Sequence, residues 1–421
     1  MARKTVLAST FGVFLPFVSP FSPVKSFAST VLVSSKTRNF SASNNYEEQA
    51  MTKDAMQIIK DAIQAVDPYE VVRTNLVRKH DTLNFVKEDL RFDLSADIDG
   101  IILVGFGKAA SAMSTSVLEQ IFPSSLTNSN IDVSCKGVVI CKDGHITQYE
   151  REVLTQHDIE IHEASHPVPD ARSIAAADRL IQTVSSHASD RTLVICCISG
   201  GGSSLFCRPS QPLTLDDLQQ VNSILLASGM GIQDMNILRK RLEDGKGGRL
   251  AASCFPSHVV ALTLSDVVGD PLDLIASGPT VPDKSTWENG WDIVQQYNLE
   301  QSLPTPVVEM LKKGVDGKLK DSPTSDHPSF EKSKNILVGN NALAVQAAAE
   351  TAKMLGYQPV VLGTEIEGEA ATVAKIYTAM SSYLQKTLSN KTNPGKQQGS
   401  NFYTVAQSLP VALIAGGGTS S

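Results

Sequence analysis

The sequence predicts an α/β protein: a large domain on a parallel sheet with helices on both faces, then a second, smaller α/β region. Three observations lead there. Leu193-Val194-Ile195-Cys196-Cys197-Ile198 is an unbroken run of six apolar residues, the mark of a strand buried on both faces. Strand and helix patterns alternate along most of the chain, which is how parallel sheets are built. Two of the buried strands run directly into glycine-rich turns, at Gly105-Phe106-Gly107-Lys108 and at Ser199-Gly200-Gly201-Gly202-Ser203-Ser204.

Composition bounds the class. Of 421 residues, 42% are hydrophobic and 19% charged, enough apolar material for two cores and too much for a disordered chain. The net charge of −7, with no stripe of Lys and Arg, argues against a nucleic-acid partner and leaves small molecules as the expected ones. The cysteines Cys135, Cys141, Cys196, Cys197, Cys207 and Cys254 form no C-x-x-C pair and have no histidine at zinc-ligand spacing. They read as buried thiols of a reducing compartment. Past the N-terminal region no stretch approaches the ~20 apolar residues that span a bilayer, so a membrane is not an expected partner.

Residues 1–45 differ from the rest. No acidic residue precedes Glu47, while Arg3, Lys4, Lys25, Lys36 and Arg38 lie scattered among serines. That is the composition of an organelle-targeting peptide, and Arg38-Asn39-Phe40-Ser41 resembles a mitochondrial processing site. A secretory signal centred on the apolar run at 6–18 is the competing reading, but Ser9, Gly12 and Pro16 interrupt it. The expected location is the mitochondrion, with the cytoplasm as alternative.

The elements then follow in order. Met51, Met56, Ile58, Ile59, Ala62, Ile63 and Val66 recur near a 3.6-residue period and predict an amphipathic helix over 47–66; Pro68 opens another, reaching residue 77. Buried strands are expected at 101–104, 137–141, 159–162, 193–198 and 259–264, with helices ending near Phe122 and running over 173–185. Thr214 and Asp217 are spaced to satisfy helix-start N–H groups, predicting a helix to about Ala227. A further helix begins at Asp234. Polar composition with Gly, Pro and Ser predicts a linker at 316–334, separating a domain at 46–315 from a second α/β region at 335–421. In that region strands at 336–338, 359–362 and 411–414 alternate with helices to 355 and over 369–388. A last buried strand with no helix after it leaves a sheet face uncovered, so a shortened product is expected.

Lys108 stands out among the candidate site residues. It sits between a glycine turn and a helix start, where the helix dipole disfavours a cation and favours an anion, so a lysine there suits a bound phosphoryl group. The same segment satisfies G-x-G-x-x-A, yet the acidic residue expected about 20 positions on to hold a ribose is missing. No P-loop and no G-x-S-x-G elbow occurs. The triple glycine, Gly200, Gly201 and Gly202, flanked by Ser199, Ser203 and Ser204, can turn successive N–H groups into one anion-binding concavity or serve as a flexible turn. Asp266 and Asp270 follow a buried strand, where parallel sheets place ligand sites; capping and turn formation explain each of them equally well. His166, in Ser165-His166-Pro167-Val168-Pro169-Asp170, either orients a substrate or simply packs, and Asp170 reads as a helix cap.

Together, Gly-Phe-Gly-Lys-Ala-Ala at 105–110, His-Pro-Val-Pro-Asp at 166–170, Ile-Ser-Gly-Gly-Gly-Ser-Ser at 198–204, Lys-Gly-Gly-Arg-Leu-Ala at 246–251 and the long motif at 264–280 resemble the class II glycerate kinases, the family ending in a MOFRL domain. The resemblance spans 49–417, and its last motif is the most specific. It implies a Rossmann-like α/β/α domain followed by an incomplete MOFRL-type domain, and ATP- and Mg²⁺-dependent phosphorylation of D-glycerate in a cleft between the two. Lys108 matches the family's active-site lysine and 199–204 its glycine-rich ligand loop. The family's continuation after the last Gly-Gly, including a Gly-Gly-Arg-Asn-Gln-Glu motif with a catalytic arginine, is not present, and Asn340 stands where serine is usual; weakened activity is expected.

On this reading Lys108 neutralises the moving phosphoryl group, the 199–204 loop holds an anionic oxygen, and Asp266 or Asp270 holds Mg²⁺ or accepts the substrate proton. Arg239 and Lys246 are further phosphate contacts. Two other functions stay open: an NAD(P)-dependent hydroxypyruvate reductase, and a non-catalytic phosphosugar- or acid-binding module.

Overall fold

The computed structural model describes residues 44–123, 133–389 and 410–417, with strand segments at 7–9, 12–16, 28–34 and 419–420. Most of the targeting segment expected at 1–45 lies outside the described residues. The chain divides into two compact units, Val71–Val338 and Met1–Glu70 with Gly339–Ser421.

The N-terminal part contributes strands β1 (Leu7–Ser9), β2 (Gly12–Pro16) and β3 (Ala28–Ser34), then helices α1 (Asn44–Gln64) and α2 (Pro68–Asn75). Helix α1 buries Ala55, Ile58, Ile59 and Ala62 along one face, as its period predicts, and leaves Met56 exposed. An antiparallel meander follows, β4 (Leu76–Lys79), β5 (Thr82–Phe85) and β6 (Leu90–Asp93). Its strands of four residues are too short to show a period, and the helix expected to reach residue 77 gives way to β4 at Leu76.

The central sheet then builds up as β7 (Gly100–Phe106), α3 (Ala110–Ile121), β8 (Ser134–Lys142), α4 (Gln148–Gln156), β9 (Ile159–Ala164), α5 (Ala171–Ser186) and β10 (Thr192–Ser199). Four helices come next, α6 (Gly202–Leu205), α7 (Leu215–Ala227), α8 (Ile232–Leu242) and α9 (Arg249–Cys254). The unit closes with β11 (His258–Leu264), α10 (Trp287–Gln296), α11 (Thr305–Val315) and β12 (Ser333–Gly339). Asp170 and Thr214 both cap helices, α5 and α7, through capping boxes.

The sheet order is β12-β11-β10-β7-β8-β9, which in chain order reads 6-5-4-1-2-3, the doubly wound arrangement. Strand β7 pairs in parallel with both β8 and β10. Winding therefore reverses between β7 and β10, and the crevice left beyond their carboxyl ends is where such sheets bind ligands. The faces follow the two-residue period of a strand. Ile102, Val104 and Phe106 of β7 and Val194, Cys196 and Ile198 of β10 pack in one cluster with Ala176 and Leu180 of α5. On the opposite face Gly105 lies against α3, where a Cβ would stand 2.8 Å from Ser114 Oγ. All eight residues of β10 are buried, each large apolar side chain contributing about 1.5–3 kcal/mol.

The expected linker at 316–334 is tied into this unit. Asp321 Oδ1 and Ser322 Oγ accept from the fully buried Arg241 at 2.7 and 2.8 Å.

The other unit continues with α12 (Asn341–Met354), β13 (Gln358–Gly363), β14 (Gly368–Glu369), α13 (Ala370–Ser389), β15 (Val411–Gly417) and β16 (Thr419–Ser420). Strand β15 pairs in parallel with β13 and antiparallel with β3. Helix α1 belongs here rather than with the central sheet: Thr351 Oγ1 donates to Asp61 at 3.0 Å and the Tyr357 hydroxyl to Asp54 at 2.8 Å. Among the described residues no helix is long and apolar enough to cross a membrane.

Candidate active site

The site forms at the carboxyl ends of β7, β10 and β11. The turn after β7 is joined directly to the glycine loop after β10. Lys108 N–H donates to Gly200 O at 2.9 Å, and Ala109 N–H donates to Ser199 Oγ at 3.0 Å. Ser199 thus anchors the lysine turn and is itself buried. Asp266, just past β11, presses its carboxylate on the loop: a Cβ on Gly200 would stand 2.0 Å from Asp266 Oδ2, so a side chain there would displace the carboxylate. Gly201 has φ +84° and lies beneath the His166 ring, a left-handed conformation glycine adopts without strain. The first two N–H groups of α6, on Gly202 and Ser203, have no intrahelical acceptor, as at every helix start.

A second layer holds the loop from behind. Ala276, Ser277 and Gly278 take three successive positive φ values of 50°, 62° and 62°, a conformation costing non-glycine residues about 1–2 kcal/mol each. This turn puts Ser277 Oγ 3.1 Å from Ser203 Oγ and lets it donate to Asn236 Oδ1 at 2.9 Å. The backbone of Gly247 and Gly248 donates to Ser277 O and Gly278 O at 3.0 and 2.8 Å. The three glycine-bearing motifs at 198–204, 246–251 and 264–280 therefore meet in one place.

Two expected phosphate contacts lie elsewhere. Lys246 is 2% exposed; its ammonium donates to Ser203 O at 2.8 Å and pairs with the buried Glu243 carboxylate, so it supports the loop from inside. Arg239 is turned to α7, where its Nε donates to Asn222 Oδ1 at 3.0 Å. Asp270 sits in the loop after β11 with φ +55° and its N–H donates to Val267 O at 3.1 Å. The expected inert thiols are in place. Cys196, Cys197 and Cys254 are wholly buried, and burial pushes Cys197 and Cys254 up to about 12.

His166 belongs to the site rather than to the core. Its Nδ1 lies 2.7 Å from Ser204 Oγ, and a Cβ on Gly201 would be 3.1 Å from its ring. Burial, then the charges of Lys108 and Lys142, hold the imidazole down at about 4, with Asp266 opposing and His145 adding to them. The fields of Lys108 and Asp266 thus converge on a ring seated over the triple glycine. Lys142, Asn236 and Glu243 are the neighbours that sequence reasoning missed, while Ser277 lay inside the 264–280 motif without a role of its own. Only Lys142, at the carboxyl end of β8, carried a signal that could have found it.

Residues 54–312 match a family model described as a domain of unknown function, DUF4147. The chain is 36% identical over 333 residues to the glycerate kinase of Danio rerio, covering 78% of this chain and 64% of that protein. It is 32% identical over 374 residues to the D-glycerate 2-kinase of Thermotoga maritima, covering 89% of this chain and 75% of that one. The crystal structure of the Thermotoga maritima glycerate kinase superposes with a TM-score of 0.65 at 30% identity, over 88% of this chain and 75% of that one. An Agrobacterium vitis relative, 38% identical over 279 residues and covered to 66% on each side, carries a hydroxypyruvate reductase name. The chain thus spans between 64% and 75% of the lengths of these three relatives. By the family model, the sequence relatives and the shared fold, the chain belongs to the DUF4147 family, that of the class II glycerate kinases.

Proposed function

We propose that the chain is an ATP-dependent kinase that phosphorylates a hydroxyl of D-glycerate. The observation that carries this is the junction of the Lys108 turn with the 199–204 loop and Asp266 at the sheet's reversal point. The unpaired N–H groups of Gly202 and Ser203 hold an anionic oxygen, a carboxylate or a phosphate. The glycerate oxygen attacks the γ-phosphorus in line, the bond to ADP breaks, and the hydroxyl proton passes to Asp266. Lys108 balances the charge spread over the moving phosphoryl group, the main catalytic demand of such a transfer.

We propose Mg²⁺ as the ion that accompanies the nucleotide. Among the described residues no three His, Cys, Asp or Glu side chains gather into a cage, and magnesium in kinases is usually held by one or two carboxylates plus the nucleotide's own phosphates. Asp270 would supply a carboxylate beside the nucleotide's phosphates, and the ion would neutralise phosphate charge.

The test is ADP release from ATP by the purified chain with and without D-glycerate, with the product identified by phosphorus NMR. Glycerate-dependent phosphoglycerate formation is expected, and Lys108→Ala should slow it by on the order of 10² or more. An effect under about twofold removes Lys108 from the mechanism. Turnover followed instead by NAD(P)H absorbance would favour the reductase reading; binding without either reaction would favour the binding module.

We further place the chain in the mitochondrion, on the composition of residues 1–45. The pairing of β3 with β15 bears on this, because cleavage after Arg38 would strip β15 of a neighbour. Fluorescent fusion and sequencing of the mature N-terminus test location and cleavage separately; diffuse cytoplasmic signal would refute the assignment.

A further inference from the structure

His166 lies over the glycine loop, and the proposed transfer leaves its chemistry unused. Its hydrogen bonding bears on where its proton sits. The Ser204 hydroxyl has one proton and an acceptor within reach at Gly201 O, 3.1 Å away. With that proton on Gly201 O, the 2.7 Å contact between Ser204 Oγ and His166 Nδ1 takes its proton from the ring, which leaves Nε2 without one. A neutral imidazole carries only one N–H, so Nε2 is left as a bare acceptor. The ring is kept neutral by its burial and by Lys108, Lys142 and His145 around it, against the single opposing charge of Asp266. Among the described residues Nε2 makes no hydrogen bond, and it is not one of the buried orphaned atoms, so it meets solvent. It lies 3.3 Å from where a Gly201 Cβ would be.

The surroundings of that lone pair are of the opposite kind. The unpaired loop N–H groups and the lysines attract anionic oxygens, which a bare ring nitrogen repels. A bare ring nitrogen among them can be satisfied only by a donor, and a hydroxy acid brings an anionic group and an O–H together. We propose that the His166 ring carries its proton on Nδ1, that its Nε2 accepts a hydrogen bond from a hydroxyl of the bound hydroxy acid, and that His166 is thereby a specificity-determining residue. The proposal rests on the reading of the ligand as glycerate.

Two measurements on the full chain test it. Nitrogen NMR of ¹⁵N-histidine-labelled protein near neutral pH reads the tautomer directly, and His166→Asn and His166→Gln identify the signal. The expected result is a proton on Nδ1; a proton on Nε2 overturns the proposal. Calorimetry then compares D-glycerate with its two deoxy analogues, D-lactate and 3-hydroxypropanoate. His166→Asn keeps a donor toward Ser204 and loses the acceptor. It should abolish a preference of about 5- to 10-fold for D-glycerate over one analogue, the worth of one hydrogen bond, while leaving that analogue's affinity unchanged. Preference retained against both analogues overturns the role of His166 alone. If the wild-type protein binds none of the three acids, the glycerate reading itself fails, and this proposal with it.

Discussion

At the scale of single residues, the same side chain type takes opposite parts depending on what lies beside it. Lys108 and Lys246 both sit next to glycines in cation-bearing turns, and both read as phosphate contacts. What separates them is Glu243, three residues before Lys246 at the end of α8 and itself buried; nothing local in the sequence announces that these two charges leave solvent together. Lys246→Met should therefore act on stability, leaving Glu243 buried and uncompensated at a cost of about 3–5 kcal/mol, read from urea unfolding; a loss below about 1 kcal/mol would contradict the buried pairing. His166 is the reverse case, legible as a residue but not as a role, because the loop it covers lies far along the chain. Its pKa of about 4 in the folded state lies below the ~6.5 of a free histidine. Between those values the unfolded chain holds the extra proton, so stability is lost as pH falls from about 6.5 toward 4. The stability difference between wild type and His166→Asn should shrink over that range; a difference independent of pH would mean the ring is not held neutral.

At the scale of elements, the buried strands and several of the helices between them, α3, α5, α7 and α8, are readable, because apolar runs and capping residues act locally; α4 and α9 are not read. Strand β10 and the boxes at Asp170 and Thr214 appear where the pattern puts them. The meander β4–β6 and the helices α10 and α11 were not readable. The first has strands of four residues, too short for a period. The others are anchored by distant partners such as Lys320, whose carbonyl accepts from the Trp287 indole at 3.0 Å. Strand order is equally invisible locally, since β7 and β10 are neighbours across more than eighty residues of chain. Because β10 is buried throughout and paired on both sides, its amides should exchange only when the whole unit unfolds. Exchange from β10 faster than from β9, at the sheet edge, would contradict that placement.

At the scale of the molecule, composition placed the domain boundary where polar residues cluster, but packing divides the chain at Glu70–Val71 and Val338–Gly339. The polar stretch is instead occupied in satisfying Arg241, a group with no exposed surface. One continuous segment thus holds the whole six-stranded sheet and the proposed site. Residues 68–339 expressed alone should fold cooperatively, as seen by circular dichroism and a single unfolding transition; a non-cooperative, dye-binding product would show that the unit needs the rest of the chain.

The kinase reading stands or falls with the idea that the Lys108 turn and the triple-glycine loop make a single pocket. A double-mutant cycle on glycerate-dependent ATP turnover measures this most directly, using Lys108→Ala, Gly200→Ala and the pair. Gly200→Ala forces Asp266 off the loop, since its Cβ would stand 2.0 Å from the carboxylate. If the two act on one transferring group, the double variant should lose little more than the worse single variant, a coupling well above about 0.5 kcal/mol. Losses that simply add would place the lysine and the glycine loop in separate sites and contradict the account.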